Sequence, residues 1–231
     1  GLFASISNGD IKGLTIEGDV TANGYVGLLA GAIDTSTQLS DCHAKGSLTA
    51  HSEVAGGLAG YFYGTANNCR FEGAVSGTTK VGGLFGSVSN SDISGCRTDA
   101  TVSGTESSGG LIGSYVQSGT SPYSVTHCFA KSTITGESGA NKYFGGLIGY
   151  LYGDYSFYKL ISEPEPYEKQ KVNIHNCGTS FHIATTQQAG RGVGGLIGFS
   201  ASKTEEVTRD SYYYNYYYSG TFYTQVDING C

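Results

Sequence analysis

The sequence has 231 residues, a formal net charge of −6, and 39% hydrophobic against 14% charged residues. This balance predicts a folded core and argues against intrinsic disorder, while an acidic chain with no basic stripe argues against a nucleic-acid partner. The 37 glycines follow no every-third-residue period, which excludes collagen, and no apolar run is long enough to insert into a membrane.

A six-residue motif, Val-Gly-Gly-Leu-Ile-Gly at Val193 to Gly198, recurs with small changes along the whole chain. Its leucine marks seven copies, at spacings of 27, 29, 26, 27, 36 and 49 residues: Leu2, Leu29, Leu58, Leu84, Leu111, Leu147 and Leu196. One unit of this length cannot bury its own apolar face, whereas stacked neighbours can. The paired glycines predict a close approach of backbones or a tight bend.

A second motif alternates with the first and ends in cysteine, as in Ile93-Ser94-Gly95-Cys96. We call the last residue of this motif the anchor. The residue before the anchor tolerates a left-handed backbone in most copies, which predicts a tight turn at that position. The residues at this position are Gly13, Asp41, Asn68, Gly95, His127 and Asn176. After the anchor, apolar and polar residues alternate with the period of two that is typical of a strand. The outward positions predict a charge ladder, with Lys45 between Glu17 and Glu72 and with Lys131 after Asp99.

Five of the six cysteines would share one column of the stack, with parallel Cβ atoms about 4.8 Å apart, and Cys231 would extend this column if another coil began there. A disulfide brings the Cβ atoms to about 3.8 Å and does not hold them parallel. We therefore expect buried free thiols that act as small hydrophobic side chains, rather than a disulfide framework. A metal site is not expected, because no Cys-x-x-Cys occurs.

Together the two motifs predict one all-β domain over residues 1–231, a right-handed parallel β-solenoid of about seven coils with about 27 residues each. The period breaks only between the leucine strand and the next anchor. We expect inserted loops at 115–124 and 151–172, and a degenerate tyrosine-rich coil at 200–231 with Ser211 at the anchor position.

No catalytic signature accompanies the repeat: His-Glu-x-x-His, Gly-x-Ser-x-Gly and a phosphate loop are all absent. The sequence predicts a protein that is not an enzyme and that has no cofactor. One alternative is a carbohydrate-active β-helix enzyme, for which the candidate catalytic residues are the closely spaced carboxylates Asp154, Glu163, Glu165 and Glu168. A simpler interpretation is that these carboxylates are solvated charges on a loop. Outward Ser/Thr columns, as in Thr133-Ile134-Thr135, could order water as in ice-binding solenoids, but we favour an ordinary polar strand face, because Asp19 and Ala74 interrupt one column.

The alternation of an Asn/Gly-Cys strand with Val-Gly-Gly-Leu-Ile-Gly resembles the GLUG-motif repeat family, over nearly the whole chain. Members are secreted or surface-anchored, mostly bacterial, and the motif also occurs beside the metallopeptidase domain of some immunoglobulin-A proteases. The resemblance implies an extracellular or cell-surface location and an adhesin-like role, and it brings no catalytic residue. An alternative is a structural subunit of an extracellular fibre, formed by end-to-end stacking of coils.

Thirteen of the 18 tyrosines lie at or after Tyr143, where the connections are longest. Aromatic faces stack on sugar rings, and tyrosine combines a large contact area with a low cost in side-chain entropy. We expect the late loops to gather along one edge and to bind a glycan or a host surface protein, and the early coils to contribute nothing. The alternative is that the tyrosines close the core by packing. The candidate binding residues are Tyr152, Tyr155, Tyr158, Tyr167, Tyr212, Tyr213, Tyr214, Tyr216, Tyr217 and Tyr218.

Overall fold

The structure is a computed structural model that describes residues 1–51, 53–118, 121–136, 142–153, 171–185, 192–202, 204–205, 220–221 and 225–231. Every regular element within these ranges is a β-strand. No helix among the described residues is long and apolar enough to cross a membrane.

Short strands follow one another along the chain because apolar and polar residues alternate between glycine-rich turns. The first thirteen are β1 (Phe3–Ile6), β2 (Asp10–Lys12), β3 (Thr15–Ala22), β4 (Tyr25–Val26), β5 (Ala30–Ser40), β6 (His43–Ala50), β7 (Val54–Gly56), β8 (Ala59–Asn67), β9 (Arg70–Ser76), β10 (Lys80–Gly82), β11 (Phe85–Ser89), β12 (Asp92–Ser94) and β13 (Arg97–Ser103). The others are β14 (Ser107–Gly109), β15 (Ile112–Gln117), β16 (Tyr123–Thr126), β17 (Phe129–Gly136), β18 (Tyr143–Gly145), β19 (Ile148–Gly153), β20 (Lys171–His175), β21 (Gly178–Thr185), β22 (Val193–Gly194), β23 (Ile197–Ser202), β24 (Thr204–Glu205), β25 (Gly220–Thr221) and β26 (Gln225–Asn229).

The strands form a parallel β-solenoid of about five turns with about 28 residues per turn, which confirms the predicted fold class. Each turn passes through three sheets. The glycine sheet contains β4, β7, β10, β14, β18 and β22, and the ladder sheet contains β3, β6, β9, β13, β17 and β21. The wide sheet contains twelve strands, from β1 to β26.

We number the coils from the N-terminus as coil 1 (β1–β3), coil 2 (β4–β6), coil 3 (β7–β9), coil 4 (β10–β13), coil 5 (β14–β17), coil 6 (β18–β21) and coil 7 (β22–β26). Within the described ranges, coils 2 to 6 contribute to all three sheets, while coils 1 and 7 contribute to two each. The register joins Phe3 to Ala30, Ala30 to Ala59 and Ala59 to Phe85, which reproduces the spacing of the leucine motif.

The predicted turn before each anchor is confirmed by the backbone. Asp41, Asn68, His127 and Asn176 have φ between 53° and 56°, and the glycines at the same position have φ between 64° and 67°. The turns also bond along the stack, since the Asn68 amide donates to the Asp41 carboxylate at 2.8 Å. A left-handed residue is therefore required at every anchor, which explains why Asn, Asp, His and Gly fill this position.

The paired glycines of the motif are needed because consecutive coils touch through their backbones. A Cβ atom on Gly83 would lie 2.1 Å from the Gly110 carbonyl oxygen, and one on Gly110 would lie 2.1 Å from that of Gly146. No side chain fits at these distances. The predicted close approach of backbones is confirmed, and it sets the tight cross-section of the solenoid.

The interior contains stacked columns of one residue type or a few similar ones. One column consists of leucines, of which Leu29, Leu58, Leu84, Leu111 and Leu147 are 0% exposed, and another consists of the cysteine thiols. Cys42, Cys69, Cys96, Cys128 and Cys177 are buried and unbridged, and Cys231 is exposed. Each buried thiol donates to the carbonyl two residues earlier, as from Cys96 to Ser94 at 3.4 Å.

The thiol column confirms that these cysteines act as apolar core residues with weak donors. Hydrogen bonding to the thiols of Cys128 and Cys69, together with burial, raises the pKa of Cys96 well above its ordinary value. A thiol that keeps its proton is a poor nucleophile, so Cys96 is unreactive at neutral pH.

The register of the ladder sheet places Glu17, Lys45, Glu72, Asp99, Lys131 and Ser180 in one outward column, as predicted. Lys131 binds Asp99 at 2.8 Å. Glu72 binds Arg70 on its own strand instead of Lys45, and Lys45 makes no ion pair among the described residues. The predicted outward column is therefore confirmed, but of the ion pairs predicted within it only the one between Lys131 and Asp99 is present among the described residues.

Candidate ligand-binding surface

The wide sheet is interrupted at one position, which we call the seam. Coil 1 is split there by residues 7–9 between β1 and β2. Coil 2 crosses the seam with the single strand β5, whose register is irregular between Ile33 and Thr37, and coil 3 crosses it with the single strand β8. From coil 4 onward the strand is split there into two. The connection is residues 90–91 between β11 and β12, residues 118–122 between β15 and β16, residues 154–170 between β19 and β20, and residues 203–224 between β23 and β26. Connections of 2, 5, 17 and 22 residues therefore follow one another along the axis.

The chain leaves and rejoins the solenoid in register at each of these connections. On the leaving side, Gln117, Gly153 and Ser202 stack on one another. On the returning side, Tyr123 stacks on Val172, and Val172 on Val226. The described ends of the late connections thus lie in two adjacent columns, as expected for insertions that all leave after the same strand.

Side chains bond the backbone where the seam splits the ladder. The Tyr115 hydroxyl lies inside the core, where it donates to the Ser91 carbonyl at 2.6 Å and accepts from the Ser91 N–H at 3.2 Å. The Ser91 hydroxyl accepts from the Gly64 N–H at 3.0 Å. Asn90 exchanges two hydrogen bonds of 2.7 Å with Ser118. These bonds satisfy buried polar groups that a continuous strand would have paired.

The inserted segments are shorter than the sequence suggests. Residues 115–117 belong to β15 and residues 151–153 to β19, and the side chains of Tyr115, Leu151 and Val172 are 0% exposed. In the last coil, β26 pairs with β20 and brings Ile228 into line with Ile174. Thr204 and Glu205 pair antiparallel with Thr221 and Gly220 within the connection. Ser211, the predicted anchor of a degenerate coil, lies outside the described residues.

Tyr152 is the one predicted binding residue within the described residues. It lies half-buried on the outer face of β19, one residue before the long connection begins. The other candidates, Tyr155, Tyr158, Tyr167, Tyr212, Tyr213, Tyr214, Tyr216, Tyr217 and Tyr218, lie outside those residues.

Tyr152 is part of a stacked row of three aromatic rings on coil 6. The ring centroids of Tyr143 and Tyr150 are 4.8 Å apart with an interplanar angle of 18°, and those of Tyr150 and Tyr152 are 5.9 Å apart with an angle of 12°. Burial raises the pKa of the Tyr150 hydroxyl, so it stays protonated and neutral at physiological pH. Each ring of the row has an apolar face and a hydroxyl group at its edge.

A second pair of tyrosines lies on the same face in coil 3, at Tyr61 and Tyr63. Tyr61 shares a column with Tyr150, and the rings of Tyr61 and Tyr25 are 6.0 Å apart. This pair was not predicted from the sequence, because tyrosines are most numerous near the insertions of the late coils. The signal was a shared Tyr-x-Tyr pattern after the motif glycine, Tyr61-Phe62-Tyr63 and Tyr150-Leu151-Tyr152, with an apolar residue between two outward tyrosines.

The ladder sheet contains the other polar surface. The Ser/Thr columns are in register, with Thr101 beside Thr133 and Ser103 beside Thr135. Asp19 and His182 interrupt them. Asp19 accepts hydrogen bonds from the hydroxyl and the N–H of Ser47, which lower its pKa. The column of hydroxyl groups is thus broken at both ends and also at Ala74 in coil 3.

The carboxylates Asp154, Glu163, Glu165 and Glu168, considered for a glycosidase-like site, lie outside the described residues. Within the described ranges, no group of three or more His, Cys, Asp or Glu side chains is placed to hold a metal ion.

Comparison with protein-family models, with curated proteins and with solved structures found no match to this chain. The resemblance to the GLUG-motif family therefore stays a prediction from the motif.

Proposed function

We propose that this chain is a non-catalytic, adhesin-like repeat protein, secreted or attached to a cell surface, which binds glycan through the seam face of its late coils. The observation that supports this most is the stacked row of Tyr143, Tyr150 and Tyr152 beside the column from which the long connections leave. The extracellular location rests on the motif resemblance alone.

The chemistry of the row suits a sugar better than most other ligands. A sugar ring has an apolar face that stacks on an aromatic ring, and hydroxyl groups around its edge that bond to polar rims. Rings that are already stacked on one another lose little further freedom when a ligand arrives. Preorganised stacking of this kind supplies contact area at a low cost in entropy, which is what a binding surface requires.

The test is a glycan array with the intact protein and two variants. In the first, Tyr150→Ser and Tyr152→Val give coil 6 the residues that coil 5 has in the same columns, Ser114 and Val116. In the second, Phe129→Ala removes an aromatic side chain, 40% exposed, from the ladder sheet. We expect the intact protein and the Phe129 variant to bind the same glycans and the tyrosine variant to lose them.

A bound set that does not change in the tyrosine variant would contradict the proposal. If the intact protein binds no glycan but captures a surface protein, and the tyrosine variant loses that partner, the face is a protein-binding surface instead.

A further inference from the structure

We infer that the ladder sheet has a second binding site, for a sugar that bears a carboxylate group, on the outward face of β17 and β21. This site is separate from the tyrosine row on the wide sheet and does not depend on it. The side chains that define the site are Lys131 and Thr133 of coil 5 and Ser180 and His182 of coil 6, which occupy four adjacent outward positions.

An open groove of about 470 Å³ lies on the outward face of the ladder sheet and extends from coil 3 to coil 6. Its walls are two outward columns, so the groove follows the solenoid axis. The polar residues of the walls are Asp99, Lys131 and Ser180 on one side and Thr101, Thr133 and His182 on the other. The volume lies in the range of pockets that bind small organic ligands.

The polar side chains at the coil 6 end of the groove are exposed and available to a ligand. Thr133, Ser180 and His182 are exposed, and their side chains make no hydrogen bond or ion pair among the described residues. Lys131 is 62% exposed and binds Asp99 at 2.8 Å, and its ammonium group has further N–H donors beyond that contact. Four side chains that can donate hydrogen bonds therefore lie around one point of the groove, as a carboxylate requires.

The charge of the groove changes sign along the axis. The corresponding four positions in coils 3 and 4 are Glu72, Ala74, Asp99 and Thr101, which present two carboxylates and one hydroxyl. The positions in coils 5 and 6 present an ammonium group, two hydroxyls and an imidazole, without a carboxylate. Both regions have the same parallel register, so the difference in side chains directs an anion to the coil 6 end.

An aromatic ring makes the site more than a binding point for a simple anion. Phe181 also lines the groove, between Ser180 and His182 in sequence, and it is 46% exposed. An exposed aromatic face stacks on the apolar face of a sugar ring, while serine and threonine hydroxyls bond to the hydroxyls of that ring. A uronic acid combines a carboxylate, an apolar face and ring hydroxyls in one unit. The groove therefore suits an acidic sugar better than a neutral sugar or a small anion.

The experiment measures the affinity of the full chain for glucuronate and galacturonate, with glucose and galactose as their neutral counterparts. Acetate, inorganic sulfate and a glutamyl peptide serve as anions without a sugar ring. The variants are Lys131→Gln, Asp99→Asn and His182→Thr, which continues the threonine column. Lys45→Gln is the control, because Lys45 lies in the same outward column in coil 2. Circular dichroism and the unfolding midpoint establish that each variant is folded.

The intact protein should bind the uronates at least about tenfold more tightly than the neutral sugars and the simple anions. Lys131→Gln should lose at least about tenfold in affinity for the uronates, and His182→Thr about threefold. Asp99→Asn should gain about twofold to threefold, because Lys131 then has no carboxylate of its own chain to bind. Lys45→Gln should change nothing.

The inference is overturned if the intact protein binds no uronate, if the Lys131 variant binds uronates as well as the intact protein does, or if neutral sugars bind equally well. It is also overturned if acetate, sulfate or the peptide binds as tightly as the uronates, because the groove would then not recognise the sugar ring.

A further variant, Tyr150→Ser with Tyr152→Val, separates this site from the tyrosine row. A loss of uronate binding in this variant alone overturns the inference and leaves the proposed function standing. If the glycan array shows no ligand for the tyrosine row while the uronates bind through Lys131, the proposed function fails and the inference stands.

Discussion

Coils 2 and 3 cross the wide sheet with the unbroken strands β5 and β8, whereas coils 5 to 7 are split at the seam by connections of 5, 17 and 22 residues. Both regions nevertheless keep the same leucine and cysteine columns and the same turn before each anchor. The difference shows that the cross-section is set by the glycine contacts and the inward columns, and that the seam does not determine it. Substitutions in each set of contacts test this division.

The largest effect should come from the glycine contacts. Gly83→Ala places a Cβ atom 2.1 Å from the Gly110 backbone oxygen, and neither backbone can move without disturbing the stack. We expect a loss of at least about 4 kcal/mol in the free energy of unfolding, or failure to fold. Gly195→Ala is the matched control, because its Cβ atom would meet only the end of the Phe181 side chain at 3.2 Å. Denaturant unfolding of the two variants measures the difference, and equal midpoints would contradict this account.

The seam network should give the next largest effect. Tyr115→Phe removes the hydroxyl group that pairs both the N–H and the carbonyl of Ser91, and it leaves two buried backbone groups without partners. The expected cost is about 1–3 kcal/mol. Phe62 occupies the same column in coil 3 without a hydroxyl, because the strand there is continuous. Tyr25→Phe, at a ring that is 50% exposed, should cost almost nothing in the same unfolding measurement.

Alkaline pH should lower the free energy of unfolding through the Tyr115 hydroxyl. Burial raises the pKa of Tyr115, so the folded state keeps the proton while the unfolded chain loses it above pH of about 10. Its contribution to stability is therefore complete below about pH 10 and falls as the pH rises further, by about 1.4 kcal/mol per pH unit. Unfolding free energies between pH 8 and 11 measure the slope. The Tyr115→Phe variant should show a shallower fall, and an identical fall in both proteins would rule out this residue as the cause.

Shortening a late connection should change stability little. Replacing residues 154–170 by a five-residue Gly/Ser turn copies the length of the connection in coil 5, whose flanking strands are in register with β19 and β20. Loop-closure entropy predicts a gain of about 1 kcal/mol. Thermal unfolding checks this. A loss of several kcal/mol would mean that the connection is part of the core, and the division between core and seam would then be wrong.

The smallest effect should come from the charge ladder. Lys131 and Asp99 pair at 2.8 Å, but their side chains are 62% and 55% exposed. Asp99→Asn should therefore cost less than about 1 kcal/mol and should cost still less at high salt. Lys45→Gln in coil 2, where no ion pair forms among the described residues, is the control. A larger cost for the Lys45 variant would contradict the observed pairing.

Repetition made the fold predictable, because each column could be read from five or six independent positions. The left-handed turn at Asp41, Asn68 and His127, the glycine contacts and the thiol column all follow from residue types that recur. Features that occur once were not predictable in the same way. Tyr115 lies two residues after the motif glycine, which marks it as inward, but the bonds of its hydroxyl to Ser91 depend on the split of the strand at the seam, which the repeat does not show.

The candidate surface was predicted only in part, for a related reason. Tyr152 was found because it lies beside a long connection, whereas Tyr61 and Tyr63 lie in a coil that has no insertion. Their relation to Tyr150 and Tyr152 depends on which columns face outward and on the number of rungs between them. That information comes from register across three coils, where the period changes from 26 to 36 residues, and not from proximity in sequence.

The seam has a consequence for how such a protein can diverge. Each connection starts and ends in columns whose register is already fixed by the sheets on either side, so its length can change while that register stays the same. Substitutions and insertions can then accumulate there while the scaffold stays unchanged, as hypervariable loops do on an antibody framework. The same property would let an engineer graft a foreign recognition loop between Ser118 and Ser121 of coil 5, whose bonds to Asn90 and Gln117 would be kept, or add a coil between two existing ones.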